Sequence, residues 1–246
     1  MSPIQDYLYM PRPEDTILGK AESLFRLLQY RVWRRELMRF VAKDRTFRFR
    51  IIDVGCGPGF LLRCLSRWFQ RAELVGVDQS EALLQIAQSR CAGMTGFKGD
   101  ACALPFSAGY ADAAFALHVV EHLSEPSLFF GEAHRVVRPG GMLIIATPNP
   151  EGASARLMGR SWKGRSDPTH VSLHGACYWT GMLERSGFKI ERQGTTGLAG
   201  LPLLNKMPLG LIHWIPSFFF GFFPWNLGEA FICVATRRGD EEFNGE

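Results

Sequence analysis

The chain has 246 residues, of which 46% are hydrophobic and 21% charged, so it is long and apolar enough to bury the core of an ordinary domain. This composition and a net charge of only +4 exclude an intrinsically disordered chain and give little support to nucleic-acid binding, so we expect no nucleic-acid partner. Six cysteines without a Cys-x-x-Cys pair indicate reduced thiols, not a disulfide framework or a zinc ribbon. The first residues carry acids and prolines where a signal peptide would be apolar, so a cytoplasmic location is the default expectation.

The hydrophobic pattern predicts strands that alternate with helices along the chain. The predicted elements are a helix over 16–43, a strand that opens the segment 50–60, a helix over 61–69, a strand over 73–78, a helix over 80–91, a weaker strand near 96–101, a strand over 112–120 that runs into a turn or helix, a helix over 128–139, a strand over 140–149, a helix over 177–187, and closing strands over 188–196 and 230–238. This alternation predicts an α/β fold with a doubly wound, mostly parallel sheet.

The sharpest local motif is IIDVGCGPGF, in which Gly55, Gly57 and Gly59 stand between a strand and a helix. Glycine suits a turn where φ is positive and where a ligand approaches the backbone closely. The N-terminus of the following helix offers unpaired N–H groups to a polar ligand. Asp78 ends the next strand 21 residues after Gly57, where an acid can hold the hydroxyls of a ribose. Together these features indicate a nucleoside ligand.

The type of nucleoside follows from the glycine spacing and from Asp53. The third glycine comes one residue earlier than in the GxGxxG turn of dinucleotide-binding folds, and a carboxylate at Asp53 suits an ammonium group and repels a diphosphate. With IIDVGCGPGF, VGVDQS, GDA and EAHRVVRPGGMLIIATPN in this order, the sequence resembles the class I S-adenosylmethionine-dependent methyltransferases over roughly residues 20–196 and 228–238. The resemblance implies a seven-stranded Rossmann-like sheet, S-adenosyl-L-methionine as the cofactor and methyl transfer as the activity. The competing enzyme class is a nicotinamide-dependent oxidoreductase.

The resemblance also implies which residues contact the cofactor. Asp53 and the glycine turn would flank the methionine part and the ribose, Asp78 would bind the ribose hydroxyls, and the adenine would lie near Gln79 and Asp100. The implied cofactor-binding residues are Asp53, Gly55, Cys56, Gly57, Gly59, Asp78, Gln79, Asp100, Ala101 and Leu117. The structural alternative for Asp100 is an ordinary loop carboxylate that caps a turn.

The candidate catalytic residues are His118, Glu121, His122 and His170. Histidine titrates near neutral pH, so one of the three could deprotonate an acceptor hydroxyl while Glu121 orients or polarises a neighbour. The stretch HVVEHL, which contains the first three of these residues, resembles one in quinone- and lipid-modifying methyltransferases of the family. The structural alternatives are hydrogen bonds of Glu121 and His122 to neighbouring loops, and a structural loop over 166–175.

The same stretch matches the H-x-x-E-H pattern of zinc proteases, which requires one continuous helix and a distant third ligand. Because His118 falls at the end of an apolar strand, the helical requirement fails. The chain shows no other cluster with metal-ligand spacing, so we expect no metal site.

An apolar insertion, with Lys206 as its only formal charge, runs from Leu198 to Trp225. Prolines and glycines interrupt it, so no clean stretch of about 20 residues remains to span a membrane. It joins the last two strands and leaves from the carboxyl edge of the sheet, where ligands bind in open α/β folds. We expect it to cap the active site, to touch a membrane surface, or both, with extra core or a dimer interface as the alternative.

The phenylalanines of this insertion favour a hydrophobic small-molecule acceptor, such as a quinone, lipid or polyketide-like compound. A small polar metabolite, or a protein that binds the nucleoside without chemistry, are the alternatives. The expected organisation is an N-terminal helical cap (1–50), a methyltransferase domain (51–238) that includes the apolar insertion (198–226), and a polar tail (239–246).

Overall fold

The computed structural model describes residues 34–38, 49–196 and 226–239. Within these ranges strands and helices alternate, as the hydrophobic pattern predicts. The strands are β1 (Arg50–Val54), β2 (Glu73–Asp78), β3 (Met94–Lys98), β4 (Ala111–Leu117), β5 (Val137–Pro148), β6 (Phe188–Thr195) and β7 (Ala230–Arg237). The α-helices are α1 (Phe60–Trp68), α2 (Glu81–Arg90), α3 (Pro126–Val136), α4 (Ala153–Met158), α5 (Lys163–Ser166) and α6 (Ala176–Arg185), and short 3₁₀ helices cover Val120–His122 and Gly159–Ser161.

All seven strands form one sheet in the order β3-β2-β1-β4-β5-β7-β6. The pairs β1–β2, β2–β3, β1–β4 and β4–β5 are parallel, whereas β7 is antiparallel to both β5 and β6. The predicted doubly wound, mostly parallel sheet is therefore confirmed. The chain reverses its direction of travel across the sheet between β1 and β4, and the crevice at the carboxyl ends of such strands is where open α/β sheets bind ligands.

Both faces of the sheet are covered, which explains why its central strands are buried along most of their length and do not alternate between buried and exposed residues. Every residue of β4 from Ala111 to Ala116 is buried. On one face the core includes the side chains of α3 and α6, with Phe129, Phe130 and Trp179 fully buried. On the other face it includes the leucines of α1 and α2.

Two predicted strands have different bounds in the structure. The weak strand expected near 96–101 lies at Met94–Lys98, because the chain turns at Asp100, whose Oδ1 accepts the N–H of Cys102 at 2.9 Å. The strand expected over 112–120 ends at Leu117, because His118 adopts a left-handed conformation with φ 58°.

The N-terminal region and the apolar insertion fall mostly outside the described residues. Of the helix expected over 16–43, residues 34–38 are described, and they are helical. There Leu37 is fully buried, and the carboxylate of Glu36 accepts a hydrogen bond from the guanidinium of Arg192 in β6. The insertion is described only at its last residue, Asn226. Among the described residues, no helix is both long enough and apolar enough to cross a membrane.

The two ends of the apolar insertion meet at the carboxyl edge of the sheet. Because β6 and β7 are antiparallel neighbours, Thr195 pairs with Phe231, and the N–H of Thr196 donates to the carbonyl oxygen of Ala230 at 2.9 Å. The insertion between these strands therefore leaves and re-enters the sheet at the edge where the glycine turn lies, as the sequence predicts.

Candidate active site

The glycine turn joins the end of β1 to α1 and is fastened to β2. All three of its glycines have positive φ, at 67° for Gly55, 50° for Gly57 and 76° for Gly59. The N–H groups of Gly55 and Cys56 both donate to the carbonyl oxygen of Val77, at 2.8 and 3.0 Å. Each of these three positions therefore has a backbone conformation that glycine adopts readily and that other residues adopt only at a cost.

The three glycines differ in what surrounds them. A Cβ at Gly55 would lie 2.5 Å from Cγ2 of Val119, and one at Gly59 would lie 2.7 Å from Cβ of Ala87. A Cβ at Gly57 would have no atom of the described residues within 4 Å. Packing therefore constrains the outer two glycines, whereas the backbone at Gly57 faces open space that a ligand can enter.

Asp78 connects the end of β2 to this turn. Its Oδ2 accepts the N–H of Gly57 at 2.8 Å, and its Oδ1 accepts the N–H of Ser80 at 2.9 Å. A carboxylate oxygen can accept more than one hydrogen bond, so both oxygens retain capacity for hydroxyl donors. The acid is held at the carboxyl edge of the sheet beside the open face of Gly57.

Asp53 is a buried carboxyl beneath the same turn. Its exposed fraction is 4%, and among the described residues no donor is bonded to its carboxyl oxygens. Burial, reinforced by the negative charge of Asp78, raises the pKa of Asp53 to about 8. A cationic group placed against Asp53 would favour the ionised form of this carboxyl and would supply the buried carboxylate with a partner. The burial of Asp53 therefore suits an ammonium ligand.

The other expected cofactor contacts also follow the carboxyl ends of the strands. Gln79 is exposed after β2, and Ala101 is buried after β3. Asp100 is exposed, and its hydrogen bond to Cys102 N–H is the turn cap that sequence analysis gave as the alternative. Leu117 is the last residue of β4 and packs, partly buried, against the core.

His118 follows β4 in an unusual conformation. Among the described residues it is the one non-glycine residue with positive φ, and such outliers cluster at functional sites. Its N–H donates to the carbonyl oxygen of Ala146 at 2.7 Å. Its half-exposed ring brings Nδ1 to 3.2 Å from Oε1 of Glu121, which is fully buried.

Glu121 is ionised in this pair. Burial acts to raise the pKa of its carboxyl, but the hydrogen bond and charge of His118 outweigh burial and hold that pKa below its usual range. A carboxylate can only accept, so Nδ1 of His118 carries the hydrogen and the lone pair of a neutral ring lies on Nε2. The second oxygen of Glu121, Oε2, is buried and has no hydrogen-bond partner among the described residues.

The loop before α6 brings His170 to the same place. The N–H of Ser172 donates to the carbonyl oxygen of Glu121 at 2.9 Å, which ties this loop to the 3₁₀ turn. The rings of His122 and His170 meet edge to face with their centroids 4.8 Å apart. Burial lowers the pKa of His122, so its ring is neutral at neutral pH. All four candidate catalytic residues thus lie in one cluster.

Sequence analysis overlooked Asn149, which follows β5 at the same edge and is fully buried. Its side-chain Nδ2 donates to the carbonyl oxygens of Gly228 and Asn226, at 2.9 and 3.2 Å, and thereby holds the returning end of the apolar insertion. Its place directly after the last parallel strand in the motif TPN was the available signal.

Comparison with known proteins identifies the domain. A family model described as "Methyltransferase domain" matches residues 52–145. The chain is 30% identical over 126 residues to a malonyl-[acyl-carrier protein] O-methyltransferase of Legionella pneumophila, a match that covers 50% of this chain and 44% of that protein. It is 37% identical over 105 residues to a ubiquinone biosynthesis O-methyltransferase of Azorhizobium caulinodans, covering 41% and 40%. The chain thus spans less than half the length of these two curated relatives.

Solved structures show the same fold. One is that of an S-adenosylmethionine-dependent methyltransferase from Archaeoglobus fulgidus, which superposes with a TM-score of 0.58 at 18% identity. The match covers 85% of this chain and 94% of that one. At this level of identity the similarity shows the fold alone.

Proposed function

Because residues 52–145 match the methyltransferase-domain model, we propose that the chain is a class I S-adenosylmethionine-dependent methyltransferase, which transfers a methyl group from S-adenosyl-L-methionine to an oxygen atom of a hydrophobic small molecule. One observation carries the proposal. The open glycine turn, the two acids Asp53 and Asp78, and the pair His118–Glu121 lie together at the carboxyl edge of one sheet.

The proposed cofactor site uses the unpartnered and open groups of this edge. Asp53 binds the ammonium group of the methionine part, and Asp78 accepts hydrogen bonds from the ribose hydroxyls. The cofactor passes over Gly57, where no side chain intervenes. The adenine lies against the loops that follow β2 and β3, near Gln79 and Asp100. Of the two cofactors considered, a sulfonium nucleoside with an amino group suits Asp53, and a dinucleotide does not.

The proposed mechanism assigns the acceptor's proton to His118. The bound cofactor supplies an electrophilic methyl group on a sulfonium. With the cofactor bound, Nε2 of His118 would accept the proton that the acceptor hydroxyl loses on methylation. Glu121 holds Nδ1–H and stabilises the imidazolium that forms. Orientation of the acceptor about 3 Å from the methyl carbon supplies most of the remaining acceleration.

His122 and His170 follow His118 as alternative bases. In each ring Nδ1 lies within hydrogen-bond distance of a backbone carbonyl oxygen, that of Thr169 at 3.2 Å and that of Gly164 at 2.8 Å. A carbonyl can only accept, so the lone pair of each neutral ring lies on Nε2. These rings can therefore accept a proton, but neither contacts a buried carboxylate as closely as His118 does.

The names of two relatives support an oxygen acceptor, since both are called O-methyltransferases, one of ubiquinone biosynthesis and one of malonyl-[acyl-carrier protein]. The composition of the apolar insertion supports an apolar acceptor, with contact between this segment and a membrane surface. We propose the division into helical cap, methyltransferase domain and polar tail on the same sequence grounds.

Calorimetry and turnover test the proposed activity. S-adenosylhomocysteine should bind and NAD should not, and a prenylated catechol should be methylated with release of S-adenosylhomocysteine. Binding of NAD alone would overturn the cofactor assignment. Binding of S-adenosylhomocysteine without methylation of the catechol, or of any hydroxylated lipid in a cell extract, would favour a non-catalytic nucleoside-binding protein.

Flotation with anionic liposomes tests the proposed membrane contact. The wild type should float with the vesicles, and the double variant Phe219→Asp, Phe222→Asp should remain in the soluble fraction with an unchanged melting temperature. If neither protein floats and the double variant unfolds, the apolar insertion is core and the argument for an apolar acceptor fails.

A further inference from the structure

Three side chains with metal-binding atoms converge in the cluster of Glu121, His122 and His170. One potential ligand atom from each residue lies within 4.8 Å of those from the other two. Two of these residues are adjacent in the 3₁₀ turn after β4, and the third comes from the loop before α6. Sequence spacing gave no sign of this set, because His170 lies far along the chain from the other two.

Both histidines make a hydrogen bond that is typical of metal-bound imidazoles. Nδ1 of His122 is 3.2 Å from the carbonyl oxygen of Thr169, and Nδ1 of His170 is 2.8 Å from that of Gly164. These carbonyls fix the proton on Nδ1 and leave Nε2 as the basic nitrogen of each neutral ring. Metal-bound histidines characteristically donate their other N–H to a carbonyl or carboxylate in this way.

Glu121 supplies the independent observation that points to a cation. The residue is fully buried, and its Oε1 accepts a hydrogen bond from His118. In the described part of the chain, Oε2 has no hydrogen-bond partner. A buried carboxyl oxygen that accepts no hydrogen bond carries an uncompensated desolvation cost. A bound cation would remove that cost.

We propose that Glu121, His122 and His170 bind one divalent transition-metal ion of the zinc class. Two imidazoles and one carboxylate suit zinc, cobalt, nickel or iron, whereas magnesium and calcium prefer oxygen ligands alone. Zinc bonds of about 2.0–2.1 Å hold ligand atoms no more than about 4 Å apart. The ligand atoms, which lie within 4.8 Å of one another, would therefore have to move up to about 1 Å closer together when a metal binds.

Three protein ligands leave coordination positions open, as in catalytic zinc sites. An acceptor oxygen bound there would have its pKa lowered by the metal, a role that rests on the proposed function. Metal binding itself does not rest on it, so the two are tested by separate measurements.

Cobalt titration of untagged, chelator-stripped protein tests the site. We expect one equivalent of Co²⁺ per chain, with visible ligand-field absorption that Zn²⁺ abolishes by displacement. His122→Ala and His170→Ala should each weaken binding by about tenfold or more. His174→Ala, in the same loop but outside the cluster, should leave the affinity unchanged.

The proposal would be overturned if the wild type bound Co²⁺ no more tightly than the double variant His122→Ala, His170→Ala. It would also be overturned if His174→Ala lost as much Co²⁺ affinity as the two cluster variants. Melting temperature and S-adenosylhomocysteine affinity, measured without metal, show whether each variant is folded. Because Glu121 is buried, Glu121→Gln can disturb folding as well as metal binding. His170→Ala is therefore the decisive test of the metal site. Failure of the protein to bind S-adenosylhomocysteine would count against the proposed function and not against the metal site.

Discussion

The backbone N–H of Gly57 donates to Oδ2 of Asp78 at 2.8 Å, which joins the glycine turn after β1 to the acid at the end of β2. The other oxygen of this carboxylate accepts the N–H of Ser80, next to the start of α2. One side chain therefore fixes the conformation of the turn and also presents acceptors at the sheet edge. A change at Asp78 should alter both.

Replacing Asp78 with alanine should weaken S-adenosylhomocysteine binding by about 1–3 kcal/mol, the cost of hydrogen bonds to a charged group. Asp78→Asn should lose less, because its remaining oxygen still accepts one N–H. Glu73→Gln, at the opposite end of β2 and paired with Arg50 on the surface, is the matched control. Calorimetry that finds equal affinities for Asp78→Ala and Glu73→Gln would contradict the ribose contact.

Cofactor binding should release about one proton from Asp53 at pH 7. The pKa of about 8 leaves this carboxyl mostly protonated in the free protein, and an ammonium ligand should ionise it. Calorimetry in two buffers of different ionisation enthalpy measures this proton release. In Asp53→Asn the release should vanish and the affinity should fall. Release that persists in Asp53→Asn would assign the proton to another group.

The stability of the ligand-free protein should also depend on Asp53. Its pKa rises from an ordinary 3.8 to about 8 on folding, so its contribution to stability is complete below pH 4 and is lost as the pH rises through about 8. Asp53→Asn should therefore melt at a higher temperature than the wild type at pH 9, and the difference should shrink toward pH 5. Parallel melting curves across this range would show that Asp53 is not buried as described.

His118→Asn should lower kcat by about 10²–10⁴-fold while leaving S-adenosylhomocysteine affinity nearly unchanged. Asparagine is chosen because it tolerates the left-handed conformation that His118 adopts, so the backbone should be retained. Steady-state kinetics with saturating cofactor measure the loss, and His174→Asn is the control. Full activity of His118→Asn would transfer the role of base to His122 or His170, or indicate an acceptor that is already ionised.

Two alanine substitutions in the glycine turn should separate packing from cofactor access. Both Gly57→Ala and Gly59→Ala force alanine into positive φ, at about 1–2 kcal/mol. Gly59→Ala should cost about 1–3 kcal/mol more, because its Cβ would meet Ala87 at 2.7 Å. Urea unfolding measures this difference. Relative to the stability that each variant loses, Gly57→Ala should lose more cofactor affinity than Gly59→Ala. A larger relative loss of affinity in Gly59→Ala would show that the cofactor does not pass over Gly57.

The cofactor turn was predictable because its signals are local. β2 runs over Glu73–Asp78 as expected, and the spacing from Gly57 to Asp78 reports a strand–helix–strand unit of standard length. The protonation of Asp53 was not predictable, since it depends on burial by neighbours distant in sequence. The residue pattern indicated repulsion between Asp53 and a diphosphate. Burial instead holds the pKa of Asp53 at about 8, so in the proposed site this carboxyl would gain its charge when a cation binds.

The histidine cluster was predictable only in part. The pattern in HVVEHL indicated His118, Glu121 and His122, but the left-handed conformation of His118 has no signal in the sequence. The approach of His170 depends on the path of the chain through α4 and α5. Hydrogen bonds such as Ser172 to Glu121 fix that path, and they have no local sequence signature.

The hairpin pairing of β6 with β7 has a consequence for how this protein can diverge. Thr196 and Leu227 flank the apolar insertion at the carboxyl edge of the sheet, on the far side of β4 and β5 from the glycine turn. Loop-closure entropy grows slowly, by about 0.6 kcal/mol for each doubling of length, so this junction tolerates segments of very different size. The segment between these two residues, which is the proposed acceptor-binding part, can therefore be exchanged in evolution or by grafting a relative's segment. Such an exchange would leave the cofactor half of the sheet intact.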